Sequence, residues 1–376
     1  MWRLFGALLC GLFQGSGGLV VSRRVSRAVG GRCAGRAAEV SPHVSPHVGG
    51  GAAFPGGAAA VSTRTYDYDG WICSYRHRAG NPELAPLLLL HPVGIGLGAW
   101  FWDRLLEQDV GGREVFAPDF VGCGDSATWE PSQRGLFIPL DWCRQVEALW
   151  RLEIQRPCVV VAQGGLAPVG VKLATRQSDA WDGPRAVERL VLASPPAWRE
   201  ISQGYDSQSV AQNYDVLSSP LGLLAYNFLR RRAFVEFFSN LFLFCDKADP
   251  EWIELCCEAA ARCRTFSELR RTGRREASPS PARAEAPARR PSAQHPVFAF
   301  NAGVVGALGL YDELVELQTP TLILEGAGDK RSAERRGYVE CMPDCAARTL
   351  EASLNVLPWE APAATAQAIV AFAAAR

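Results

Sequence analysis

Lysine is nearly absent from this chain of 376 residues. Only Lys172, Lys247 and Lys330 occur, so arginine carries almost all of the positive charge. The 39 basic residues are matched by 39 acidic ones, and a formal net charge of zero gives no electrostatic footprint for nucleic acid. Histidine is also scarce: there are five, and His295 is the last. The segment after it therefore has no imidazole to serve as a general base near neutral pH. Beyond the N-terminal leader no run of 18 uncharged apolar residues occurs, so no membrane-spanning segment is expected and the mature chain should be soluble. The twelve cysteines contain no CxxC pair. Cys256, Cys257 and Cys263 cluster, as do Cys341 and Cys345, but without histidines at zinc spacing. They read as reduced, mostly buried thiols, with no metal and no cofactor assigned.

Acidic residues are missing from one stretch in particular. Residues 1–60 hold only Glu39 against six arginines and are rich in Gly, Ala and Ser. The opening MWRLFGALLCGLF has the form of a signal-peptide apolar region, and VVSRRVSRAVGGRCAGRAAEV that of an organelle transit peptide. In tandem they resemble the bipartite leaders that route proteins into plastids bounded by extra membranes, so residues 1–62 are expected to be a disordered plastid-targeting leader, with a mitochondrial leader as the alternative. The doubled SPHVSPHV, Ser41 to Val48, belongs to that leader and is no metal site.

From about Thr63 the texture changes. APLLLLHPVG, EVFAPDFVGCGDS, PCVVVAQ, VERLVLASPPAW, TPTLILEGAGD and ARTLEAS each contain a short apolar strand, and helical patterns lie between them. In PLDWCRQVEALWRLEI the residues Leu140, Cys143, Val146, Leu149 and Trp150 share one helical face. Strands alternating with helices predict a mostly parallel sheet covered on both faces. The alternation stops after Arg199 and resumes near residue 300. The chain thus divides into a core over 63–200, a helical cap over 201–300 and the last core strands with a closing helix over 301–376. Within the cap, residues 270–294 lack large apolar side chains and read as a disordered insertion.

An ordered set of landmarks over residues 65–376 resembles the α/β-hydrolase fold superfamily, of the type with a central parallel sheet and a late helical cap. LLLLHPVG is similar to its His-Gly oxyanion segment, with Pro92 where the glycine stands. APDFVGCGDS is similar to its D-x-x-G-x-G-x-S turn, through Asp119, Gly122, Gly124 and Ser126. VAQGGLA occupies the nucleophile elbow, PTLILEGAGD the acid-bearing strand, and SLNVLPWEAP the segment of the histidine. The resemblance implies where catalytic groups belong, and two of those places are degenerate. The nucleophile position holds Gly164, with Leu166 at the second small position of G-x-S-x-G, and no other nucleophile lies between Cys158 and Ala174. The histidine position holds Asn355, five residues before Glu360. The acid position keeps Asp329, which either retains a site role or caps the helix that follows.

An oxyanion hole of the Val93 and Gly165 N–H groups is implied to survive. His91 reads as a buried structural histidine, or else as a site residue. The expectation is therefore an organellar α/β-hydrolase-like protein without serine hydrolase activity, whose cap and pocket bind a small apolar molecule or a protein partner. Tyr226, Phe228, Phe234, Phe237, Phe238, Phe242 and Phe244 would face a greasy ligand or simply pack the cap. The alternative is an ester hydrolase with a non-standard site built on Asp329, His91 and the oxyanion hole.

Overall fold

Short runs of Leu and Val with no polar interruption suit strands covered on both faces, and the computed structural model bears this out. It describes residues 60–131, 134–178, 181–262 and 294–375. The leader expected over 1–62 and the insertion expected over 270–294 lie almost wholly outside the described residues. Strand β3 (Leu87–Leu90) and strand β5 (Cys158–Gln163) are buried at every position. With β1 (Val61–Tyr68), β2 (Trp71–Arg78), β4 (Val115–Pro118), β6 (Val187–Ala193), β7 (Thr321–Gly326) and β8 (Cys345–Leu350) they form one eight-stranded sheet. Its order is β1-β2-β4-β3-β5-β6-β7-β8. Pairing is parallel from β4 through β8, while β1 and β2 run antiparallel.

The β1–β2 hairpin went unread in the sequence. It turns on Asp69 and Gly70, both at positive φ (50° and 77°), the backbone that a tight two-residue hairpin demands. Along the central strands alternate residues feed two separate cores. Leu88, Leu90, Val160, Ala162, Leu190 and Leu192 pack with helix α1 (Leu140–Leu149) and helix α2 (Ala167–Thr175) on one face. Leu87, Leu89, Val159, Val161 and Val191 pack on the other with Phe101, Trp102 and the closing helix α9 (Pro362–Ala374). On α1 the expected face is confirmed at Cys143, Val146 and Leu149, while Leu140 and Trp150 are half-buried at its ends.

Between β6 and β7 the chain leaves the sheet and builds the cap. Its helices are α3 (Trp198–Gln203), α4 (Ser207–Ser218), α5 (Pro220–Leu229), α6 (Arg232–Phe238), α7 (Pro250–Arg262) and α8 (Gln294–Ala302). The sequence punctuates them: the Asp206 carboxylate accepts from Ser209 N–H at 2.8 Å, and Ser219 caps α5 with Pro220 at its first position. Gln294 and His295 open α8, so the last residue of the expected insertion, Gln294, is helical. Strand β3 lies between β4 and β5, which reverses the order of connection. Loops at such a switch point, past the carboxyl ends of the strands, form the customary ligand crevice of an open α/β sheet. The turn after β3 and the turn after β5 therefore define where a site belongs.

Candidate functional site

Strand β5 runs into α2 through one tight turn, Gly164–Leu166. Gly164 has φ +60°, a left-handed conformation that costs side-chain-bearing residues strain and glycine none. A Cβ built there would meet no atom within 4 Å, so the space that a nucleophile would use is open. The next residue differs. A Cβ on Gly165 would lie 2.1 Å from the Phe300 ring, so glycine is what lets α8 seat its phenyl on the elbow. Leu166, the departure at the second small position, is turned wholly into the core.

Above the elbow lies a cavity of about 210 Å³. Its floor is Gln163, Gly164 and Gly165 together with Ser194 at the end of β6; its side is the loop Pro92–Leu97; its roof is the cap. The Val93 and Gly165 N–H groups, expected as an oxyanion hole, both belong to this lining, and neither meets a protein acceptor among the described residues. Of the seven cap aromatics, Phe234, Phe238 and Phe242 line the cavity, forming a ladder with ring centroids 6.3 Å and 5.1 Å apart. Tyr226 and Phe244 instead pack internally against Phe298 and Trp252, and Phe228 and Phe237 are exposed. Three of the seven rings thus face the cavity, two pack inside the protein and two face outward.

Asn355 reaches the cavity, with its side-chain nitrogen and both backbone groups bonded to the surrounding structure. Its side-chain Nδ2 donates to the Phe242 carbonyl at 2.8 Å, its N–H donates to the Leu243 carbonyl at 3.2 Å, and its carbonyl accepts from Gln163 Nε2 at 2.8 Å. The Glu360 carboxylate, five residues on, accepts from Leu354 N–H at 2.8 Å and from Cys245 N–H at 2.5 Å. Asn355 and Glu360 thus latch the last loop to the cap and to the elbow.

Asp329 lies outside the cavity lining. Its carboxylate accepts from the Arg331 N–H at 2.9 Å and lies 2.6 Å from Arg335 Nη1, an ion pair rather than a well-directed hydrogen bond. Arg335 is 3% exposed and donates Nε to the Pro195 carbonyl at 2.6 Å. Asp329 precedes the helical turn Ser332–Arg335 without capping it: Arg331 is the N-cap, and the Asp329 carboxylate pairs instead with that turn's buried arginine.

His91 also sits away from the cavity. Its Nδ1 lies 2.8 Å from the Pro92 carbonyl, and the Phe120 N–H donates to Nε2 at 3.3 Å. That arrangement assigns the proton to Nδ1 and leaves Nε2 an acceptor. Complete burial pushes the ring pKa down to about 4, so it stays neutral and braces the loop that carries Val93. Asp119 braces the same loop: one carboxylate oxygen accepts from Ala99 N–H at 2.6 Å, the other from Asp125 N–H at 3.1 Å. Its burial pushes the pKa up to about 7. Among the described residues no group of His, Cys, Asp and Glu could hold a metal ion.

Three lining residues were invisible in the sequence: Ser194, Asn301 and Glu200. Ser194 sits at φ +45°, unusual for a serine, directly after β6. Its place at a parallel strand's carboxyl end, beside the elbow strand, was the one signal that could have found it.

No protein-family model matches the chain, and no curated protein does. Solved structures do. A haloalkane dehalogenase, the DbeA-M1 loop variant from Bradyrhizobium elkanii, is 17% identical with a TM-score of 0.57, over 84% of this chain and 97% of that one. A serine hydrolase involved in carbazole degradation, the CarC enzyme, is 15% identical with a TM-score of 0.57, over 84% of this chain and the whole of that one. A thermophilic esterase from Thermogutta terrifontis is 17% identical with a TM-score of 0.56, over 83% and 97%.

Proposed function

We propose, starting from the α/β-hydrolase fold that this chain carries, that it uses the cavity of that fold to bind a small apolar molecule and does not perform serine-type hydrolysis. The observation that supports this most is the occupant of the elbow. Gly164 leaves open the space where the fold's hydrolases keep a nucleophile, and Asn355, at the position of the base, is committed to the cap. Asn355 cannot take a proton from a hydroxyl, and loss of one member of a catalytic triad already costs roughly 10⁴–10⁶ in kcat. Cys256 supplies the one thiol among the lining residues, and burial raises its pKa so far that it stays protonated and non-nucleophilic. The phenyl ladder offers an apolar ligand a dry wall.

The test is a fluorescence titration of the full chain with N-phenyl-1-naphthylamine. Saturable binding that is lost in Ile95→Trp, which places an indole in the lining, is expected. Binding that is undiminished by that substitution would put the ligand elsewhere. A second reading, residual ester hydrolysis, draws on the uncommitted Val93 and Gly165 N–H groups, which could still stabilise an oxyanion.

A further inference from the structure

We infer that two copies of this chain pair edge to edge through strand β8, joining their sheets into one. None of the residues involved belongs to the cavity lining. β8 is the outermost strand and pairs only with β7. At one end of that pairing the Thr321 N–H donates to the Asp344 carbonyl; at the other the Ala327 N–H donates to the Leu350 carbonyl, both at 2.9 Å. Backbone groups alternate sides along a strand, so Ala346 and Arg348 also turn theirs toward β7. The N–H and C=O groups of Cys345, Ala347 and Thr349 are left pointing outward, and the residues from Ala346 to Thr349 are exposed. Among the described residues these outward groups meet no backbone partner.

An unpaired edge is a template for another strand unless something blunts it. β8 holds no proline and no bulge, and Ala346 and Ala347 leave its middle open. The one charge within it, Arg348, would repel most strands. Against a second copy of β8 the same charge becomes an attraction.

Antiparallel pairing about a two-fold axis at Ala346 sets Cys345 opposite Ala347, so that the outward N–H and C=O groups of each meet those of the other. It also sets Arg348 opposite Asp344, twice by symmetry. These are non-hydrogen-bonded positions, where facing side chains come closest, with Cβ atoms about 4.5–5.5 Å apart. Asp344 and Arg348 are both exposed, and among the described residues neither has an ion-pair partner within its own chain. Moving the axis to Ala347 would set Arg348 against Ala346 and lose the match. Moving it to Arg348 would set the two guanidinium groups against each other. Charge complementarity thus selects the axis at Ala346. Pro343, which falls opposite Thr349, has no N–H to offer and ends the pairing. So short a seam buries little area, and the dimer is weak and concentration-dependent.

The experiment is sedimentation velocity of the full chain over a concentration series at low salt, with circular dichroism to verify that each variant is folded. The wild type is expected to pass from monomer toward dimer as concentration rises, and less so at high salt. Arg348→Asp sets carboxylates opposite each other twice and should weaken the dimer about tenfold or more. Adding Asp344→Arg to that variant exchanges the two charges and should return the dissociation constant to within about threefold of wild type. Ala347→Pro removes an outward N–H while sparing the ladder to β7, and should abolish the dimer. A wild-type chain that stays monomeric at every concentration overturns the proposal, whether another segment of this chain or a different protein covers the edge. A dimer indifferent to Arg348→Asp and Ala347→Pro uses another face, and a charge exchange that fails to restore pairing contradicts the axis at Ala346.

Discussion

The turn after β5 and the turn after β7 start from the same situation: each ends a buried parallel strand at the sheet's carboxyl edge, where the fold's hydrolases keep catalytic groups. They are built in opposite ways. At the first turn Gly164 takes the left-handed conformation without cost and leaves an empty space above it. At the second the Asp329 carboxylate is held by Arg335 and by the Arg331 N–H. One turn is open and unstrained, and the other is tied to a buried arginine. A carboxylate at the carboxyl end of such a strand is therefore not by itself evidence of chemistry. What matters is which partner holds it.

That contrast fails if the two turns respond alike to substitution. The largest effect is expected at the tied one. Asp329→Ala leaves the buried Arg335 guanidinium with only Glu325 at 3.6 Å and the Pro195 carbonyl as partners, and should destabilise the fold by about 3 kcal/mol, read by urea unfolding. A loss well under 1 kcal/mol would mean that Asp329 is not structural. His91, between the two in scale, gives a pH signature. The unfolded chain protonates this histidine near pH 6.5, whereas the folded chain does so only near 4, so folding stability falls as the pH drops through that window. His91→Gln keeps one donor and one acceptor but cannot titrate, and should flatten the fall by about 3 kcal/mol relative to wild type. Asp119, with its pKa raised to about 7, acts in the opposite direction over the same range. For that reason the difference between the two proteins, not the wild-type slope alone, is the quantity to measure.

The smallest effect belongs to the open turn. Gly164→Ala adds a methyl group that meets nothing, so only backbone strain is felt, about 1–2 kcal/mol. Gly165→Ala should cost more than its neighbour, because its methyl must displace the Phe300 ring. If the order of the two is reversed, the account of the elbow is wrong.

Much of this architecture was legible before any coordinates. Strands β3, β5 and β7 announced themselves because a strand buried on both faces has no room for polar residues, and the resemblance to the α/β-hydrolase superfamily directed attention to Gly164, Asn355 and the Val93 loop, all of which line the cavity. The β1–β2 hairpin escaped although Asp69-Gly70 is a strong turn signal, since its strands carry mixed, half-exposed side chains with no continuous apolar run. The fate of Asp329 was not legible either. Its partner Arg335 lies six residues on, and only the turn between them brings the guanidinium back. Ser194 and Asn301 become neighbours of the elbow through sheet order and cap docking, which no local pattern encodes.

The central claim, that the elbow of this chain binds without hydrolysing, meets its most direct test in labelling of the purified wild-type chain with a fluorescent fluorophosphonate, alongside turnover of p-nitrophenyl acetate. No stoichiometric labelling is expected, and ester turnover no faster than that of the chain unfolded in urea. Gly164→Ser should stay equally silent, because the new hydroxyl would face Asn355 and no base. Stoichiometric labelling of the wild type, with turnover abolished by the label, would contradict the claim outright.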